Sequence, residues 1–130
     1  MIYQHKTQYY ETDQMGIIHH SNYIRWFEEA RIDFMDKWGF TYAQMEADGI
    51  ISPVLAVSRQ YKTMTHFGDT VVIETQIEKY NSIKLELSYE VRDKETGEVR
   101  CQGTSSHCFL DREGNVVSLR RGWDKYHQVY

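Results

Sequence analysis

From Ser21 to Trp38 the chain reads as a helix with apolar side chains on nearly every side, and this limits what it can fold into. Tyr23, Phe27, Ala30, Phe34 and Trp38 fall at helical spacing, and Ile24, Trp26, Ile32 and Met35 widen the apolar surface beyond one stripe. Such a helix has to be enclosed by protein rather than laid on a surface. Ser21 or Asn22 is the expected N-cap, and Gly39 the expected stop. A shorter, weaker helix is expected over 41–48.

The enclosing material follows Pro53, where the period changes to two. Leu55, Val57, Arg59 and Tyr61 alternate with Ala56, Ser58 and Gln60, and Val71, Ile73, Thr75 and Ile77 alternate with Val72, Glu74, Gln76 and Glu78. The clearest run sets Ile83, Leu85, Leu87, Tyr89 and Val91 against Lys84, Glu86, Ser88, Glu90 and Arg92, the pattern of a half-buried antiparallel strand. Asn81-Ser82, "DKETGE" and "DREGN" read as separators, with a strand over 99–110 and a last short one near 115–119. A first strand is expected over 4–9. The order is strand, long buried helix, then four or five antiparallel strands. A twisted sheet curled around one helix would bury it on several sides. Such a sheet leaves an open face or edge, which implies at least a dimer.

With 130 residues the chain is long enough for one domain, taken as 1–130, and one core. A formal charge of −4 disfavours a general nucleic-acid or anionic-membrane surface. The N-terminal "MIYQHKTQYYETD" lacks the order of a signal peptide, and no apolar run is long enough for a membrane span, so the expected location is cytoplasmic. Cys101 and Cys108 lie in one expected strand, about 23 Å apart at strand rise, beyond disulfide reach; both are expected as reduced thiols. No cysteine or histidine pattern suggests structural zinc.

The stretch that could carry chemistry is "YETDQMGIIHHSNYIRWFEEAR", residues 10–31. Asp13 stands just ahead of the helix, whose first N–H groups lack intrahelical acceptors and lie at the positive end of its dipole. An N–H there can stabilise an oxyanion formed in acyl transfer, while Asp13 attacks the carbonyl or activates a water. A thioester suits so small an apparatus, because a thiol of pKa about 8.5 leaves readily. Asp13 could equally belong to an Asx turn or cap the helix, and spacing leaves both open. Gly16 permits a tight turn or close approach of a ligand. Adjacent histidines, His19 and His20, rarely enter one coordination sphere, so no metal is expected. Tyr9 could orient a carboxylate or line a pocket. Glu28 and Arg31, three apart, are expected as an ion pair. Arg59 with Lys62, Lys84, Arg92 with Lys94, and Arg120-Arg121 form small basic groups, some of which could hold phosphates.

The whole stretch resembles the signature of the 4-hydroxybenzoyl-CoA thioesterase-like hotdog family, in particular its Tol-Pal-associated bacterial branch. Thr12-Asp13, Gly16-Ile17-Ile18, Asn22-Tyr23 and Trp26-Phe27-Glu28-Glu29-Ala30-Arg31 carry the likeness. "YKTMTHFGDTVVIETQIEK" and "SYEVRDKETGEVRCQGTSSHCFLD" extend it downstream. The resemblance implies an α+β hotdog fold, a long central helix wrapped by a curved antiparallel sheet of five to six strands, in homodimers or homotetramers. It implies hydrolysis of acyl-CoA to a carboxylic acid and free CoA, with no cofactor beyond the coenzyme A of the substrate. Asp13 would be the catalytic carboxylate and the backbone N–H of His20 would polarise the carbonyl. Tyr9 and the His20 side chain match auxiliary positions. Gly16, Ile17, His19, Tyr23, Arg59 and Lys62 make up the candidate substrate-binding set, His19 standing where relatives often carry Tyr. The tail "SLRRGWDKYHQVY" departs from the family pattern.

Two other readings compete. An ester tethered to acyl carrier protein would need a basic docking patch, for which Arg120 and Arg121 are candidates. A non-catalytic acyl-CoA-binding protein would use Asp13 only as a cap. A dehydratase is disfavoured, because "HFGD" with His66 at a strand entry lacks an accompanying helix motif.

Overall fold

The structure, a computed structural model, describes residues 1–37 and 41–120. In it the greasy segment becomes α1, Ser21–Lys37, seventeen residues and about 25 Å long. A five-stranded antiparallel sheet encloses it: β1 (Ile2–Lys6), β2 (Val54–Tyr61), β3 (Thr70–Tyr80), β4 (Lys84–Asp93) and β5 (Val99–Cys108), in spatial order β1-β3-β4-β5-β2. A short helix, α2 (Tyr42–Ala47), begins with a capping box between Thr41 and Gln44.

The core is the contact between α1 and one face of the sheet. Trp26, Phe27, Ala30, Phe34 and Met35 are buried against Val71, Ile73, Leu85, Leu87, Tyr89, Val91 and Cys101. Phe27 stacks on Tyr89 at 4.5 Å between ring centroids. Gly103 makes that seat possible, since a Cβ there would lie 2.5 Å from both the Phe27 ring and the Ser58 carbonyl. The alternation in β4 thus does what its sequence promises.

Several expectations need correction. The first strand runs over Ile2–Lys6 rather than 4–9, and Tyr9–Glu11 form a single 3-10 turn. Glu11 closes that turn by accepting the Gln8 N–H at 2.7 Å, which ends the extended run. Ile83 falls outside β4 and is exposed, because the Asn81 side chain takes the N–H groups of both Ile83 and Lys84 in the turn. Residues 115–119 form no strand; Val116 makes only an isolated bridge to Leu110. The alternation in β2 hides neither face, because β2 is an edge strand and exposed at all eight positions. Neither Ser21 nor Asn22 caps α1: the Ser21 N–H donates to His19 Nδ1 at 3.2 Å, and the Asn22 side chain donates back to the Glu11 and His19 carbonyls. Trp38 and the expected stop at Gly39 lie outside the described residues, as does the tail from Arg121.

Cys101 and Cys108 are both buried and unbridged on β5. Burial pushes the Cys101 thiol up to about 11. No helix among the described residues is long and apolar enough to cross a membrane.

Candidate active site

The loop between β1 and α1 is tied down before it reaches Asp13. Glu11 is buried at 4% exposure and accepts from the Trp26 indole N–H at 2.7 Å, with His5 Nε2 2.9 Å away. Its backbone carbonyl takes the His19 N–H and the Asn22 side chain. One residue therefore fastens the loop to β1, to the flank of α1 and to the start of α1.

Beyond it the chain makes a closed turn. Thr12 bridges to Ile18, the Asp13 N–H donates to the Ile17 carbonyl at 2.9 Å, and Gly16 takes a left-handed φ of 75°. Asp13 Oδ1 accepts the N–H groups of Met15 at 2.8 Å and Ile17 at 3.2 Å, an Asx turn. Its second oxygen, Oδ2, accepts no hydrogen bond from the described residues. The turn uses one oxygen and leaves the other outside it, so a reactive role would not compete with the turn.

Asp13 lines a cleft of about 360 Å³ together with Ile17, Ile18, His19, His20 and Tyr23 on one side and Tyr61, Lys62, Thr63 and Met64 on the other. At the start of α1 the His20 carbonyl takes the Tyr61 hydroxyl at 3.1 Å and the Tyr23 N–H at 3.3 Å, whereas the His20 N–H finds no acceptor among the described residues. The His20 ring stacks on His19 at 4.3 Å and meets the edge of Tyr61 at 6.0 Å. Tyr23 is buried and donates its hydroxyl to Thr65 at 2.9 Å, and burial raises its ionisation above the ordinary phenol range. The residues lining the cleft therefore include Asp13 and His20, whose Oδ2 and backbone N–H have no partner among the described residues.

Of the candidate residues, Asp13, Ile17, His19, His20, Tyr23 and Lys62 line this cleft. Gly16 shapes the turn without lining the cleft, and its carbonyl accepts the Phe67 N–H at 3.1 Å. Tyr9 is exposed outside it, edge-on to Phe67 at 5.7 Å. Arg59 lies one step removed, its guanidinium 5.6 Å from the Tyr61 ring centre. The expected Glu28–Arg31 ion pair is absent: Glu28 is exposed, and Arg31 sits over the Tyr42 ring instead, 5.7 Å from its centre. Arg120 is exposed and Arg121 lies outside the described residues. No cluster of three potential metal ligands occurs among the described residues.

Tyr61, Thr63 and Met64 join the site without having been read from sequence as site residues. Tyr61 belongs to an alternating run, and only its place at the end of an edge strand turns its hydroxyl towards α1. Glu11 was equally hidden, although an acid three residues after Gln8 is a capping-box spacing.

The family described as "Thioesterase-like superfamily" matches residues 7–122. Among curated proteins, the chain is 37% identical over 126 residues to the Bacillus subtilis protein named "Putative acyl-CoA thioesterase YneP", covering 96% of this chain and 91% of that one. Among solved structures it is similar to a DHNA-CoA thioesterase from Staphylococcus aureus, at TM-score 0.94 and 36% identity, covering 99% of this chain and 87% of the other. A hypothetical protein from Aquifex aeolicus superposes at TM-score 0.90 with 31% identity, over 99% of this chain and 98% of that one.

Proposed function

The chain belongs to the thioesterase-like superfamily and has the hotdog fold, and from that premise we propose that it hydrolyses acyl-CoA thioesters with Asp13 as its working carboxylate. One observation carries this reading: Asp13 and His20 line one cleft, and the Asp13 Oδ2 and the His20 N–H have no partner among the described residues.

The thioester carbonyl accepts the His20 N–H, aided by the positive end of the α1 dipole. Asp13 Oδ2 takes a proton from water as the water oxygen bonds to the carbonyl carbon, or bonds to that carbon itself. The carbonyl oxygen becomes an oxyanion held at the His20 N–H. Collapse breaks the carbon–sulfur bond and the coenzyme leaves as thiolate, which takes up the proton from Asp13 or solvent. In the direct-attack route, water then cleaves the resulting anhydride and returns the carboxylate. Lys62, at the rim of the cleft, is placed to meet a phosphate of the coenzyme; Arg59 and Tyr9 lie further out and contribute only if a second copy brings them in. The exposed edge of β2 is where we place that second copy, in a homodimer or a dimer of dimers. Within the superfamily, the motif over 12–31 supports the Tol-Pal-associated branch, with one domain over 1–130 acting in the cytoplasm.

Asp13→Asn tests the assignment. Asparagine retains a carbonyl oxygen for the Met15 and Ile17 N–H groups, so the turn persists while the base or nucleophile is lost. We expect kcat/KM for acyl-CoA to fall about 10²–10⁴-fold with the melting temperature nearly unchanged. Turnover close to the parent's would remove Asp13 from the mechanism and favour a binding protein.

A further inference from the structure

Past the end of β2 the chain leaves the sheet and crosses towards α1, and this crossing, Lys62 to Met64, forms one wall of the cleft. It belongs to no strand, so its backbone depends on other holds. The N–H groups of Lys62 and Thr63 both donate to the Arg100 carbonyl, at 2.9 and 3.3 Å, and the Thr63 hydroxyl donates to the Val99 carbonyl at 3.1 Å. At the far end Thr65 is fully buried: its carbonyl accepts the Ile18 N–H at 2.8 Å and its hydroxyl accepts from Tyr23. Between these anchors the Met64 carbonyl accepts from Arg100 Nη1 at 2.9 Å. One residue of β5 thus holds the wall twice, by its carbonyl and by its side chain.

The guanidinium is itself fixed in orientation. Its side chain is 13% exposed, Nη2 donates to Asp93 Oδ2 at 2.9 Å, and Nη1 donates to Glu98 at 2.6 Å. Asp93 is buried at the end of β4, and its Oδ1 accepts the Glu95 N–H at 2.9 Å. That N–H and the guanidinium keep its carboxyl below the ordinary carboxylate range. Nε is buried without a partner. A side-on pair with a carboxylate would use Nε as well as Nη2. Here that pair is not made, and Nη1 reaches the Met64 carbonyl, with Thr63 Oγ1 3.4 Å away. Arg100 itself does not line the cleft.

We infer that Arg100 is a positioning residue: through the Met64 carbonyl it fixes the wall that carries Lys62, and so sets how tightly the coenzyme part of the substrate is held. The inference rests on the thioesterase reading. Asp13 and the His20 N–H lie outside this wall. Losing the hold therefore removes binding that the ester and the transition state share, which raises KM and spares kcat.

Arg100→Gln tests this, with Gly97→Ala as its comparator. Glutamine carries no charge and cannot serve Asp93 and Met64 together. Gly97 lies in the same β4–β5 hairpin at a left-handed φ of 74°, with nothing within 4 Å of a Cβ built there. Alanine at that position strains the turn without meeting Arg100 or the wall. Both variants should melt below the parent. With octanoyl-CoA and benzoyl-CoA as substrates, Arg100→Gln is expected to raise KM about fivefold or more for both, with kcat within about twofold. It should weaken binding of free coenzyme A, followed by calorimetry, by a similar factor, while Gly97→Ala keeps the parental KM and kcat. Arg100→Lys retains a cation for Asp93 with one nitrogen in place of the fork, and is read by the same criteria if the glutamine variant does not fold. An unchanged KM, a fall in kcat larger than the rise in KM, or an equal rise in KM for Gly97→Ala would each overturn the inference. In the last case the whole hairpin, and not the hold on Met64, would carry the effect. A parent that hydrolyses neither ester removes the thioesterase reading instead. Coenzyme A binding then decides: weakening in the Arg100 variant supports the inference, and unchanged or absent binding overturns it.

Discussion

Asp13 leaves room in one side chain for two readings that the sequence sets against each other. Its Oδ1 closes the turn, its Oδ2 accepts no hydrogen bond from the described residues, and the residue lines the cleft. Spacing could locate the residue but could not divide its oxygens, because that division depends on where two backbone N–H groups fall. His107 gives a second residue-scale consequence. Burial, with the nearby Arg31 charge, pushes its ring down to about 4. In the unfolded chain the ring titrates near 6.5, so that state binds a proton first as the pH falls. The stability tied to the neutral ring is fully present above about pH 6.5 and is lost between there and pH 4, by up to about 3 kcal/mol. Melting curves at pH 7 and pH 4.5 should show a smaller acid-induced drop for His107→Asn than for the parent, whatever the variant's stability at pH 7. Equal drops would mean the ring is already solvated in the fold.

At the scale of elements, α1 and β4 were legible because their periods are local and their burial follows directly: Leu85, Leu87, Tyr89 and Val91 are buried beneath Phe27 and its neighbours. The loop over 12–18 was not, because its shape is set by partners far along the chain, such as Ile17 against His66 and the Ile18 N–H on the Thr65 carbonyl. Nor could the sequence reveal that Glu11, on a short turn, ends up under the Trp26 indole. That contact couples the loop to the helix, and Trp26→Phe measures it. Phenylalanine fills most of the same space but leaves Glu11 Oε2 without its donor, in a site where an unmet carboxylate oxygen costs on the order of 1–3 kcal/mol. Thermal unfolding should register that loss, and kcat should fall as well, because the loop bearing Asp13 hangs from the same carboxylate. A variant with lowered stability and an unchanged kcat would show that the clamp serves the core alone.

For the molecule as a whole, β2 is the exposed feature. It pairs only with β5, its other edge meets no described strand, and Val54, Leu55 and Tyr61 are exposed along it at 47%, 53% and 45%. Uncovered apolar edge strands invite pairing, and a second copy placed two-fold on β2 would run antiparallel to it. Leu55→Asp puts a charge on that edge without touching the cleft. Sedimentation is expected to give dimers for the parent and single chains for the variant, with turnover lost if the partner completes the site; an unchanged assembly would place the interface elsewhere. The two cysteines inside β5 have a practical bearing on all such measurements. A dye that colours on meeting free sulfhydryl groups will count released coenzyme alone, since the native chain keeps its own sulfur out of reach. Colour that develops before any ester is added therefore reports how much of the preparation has come undone.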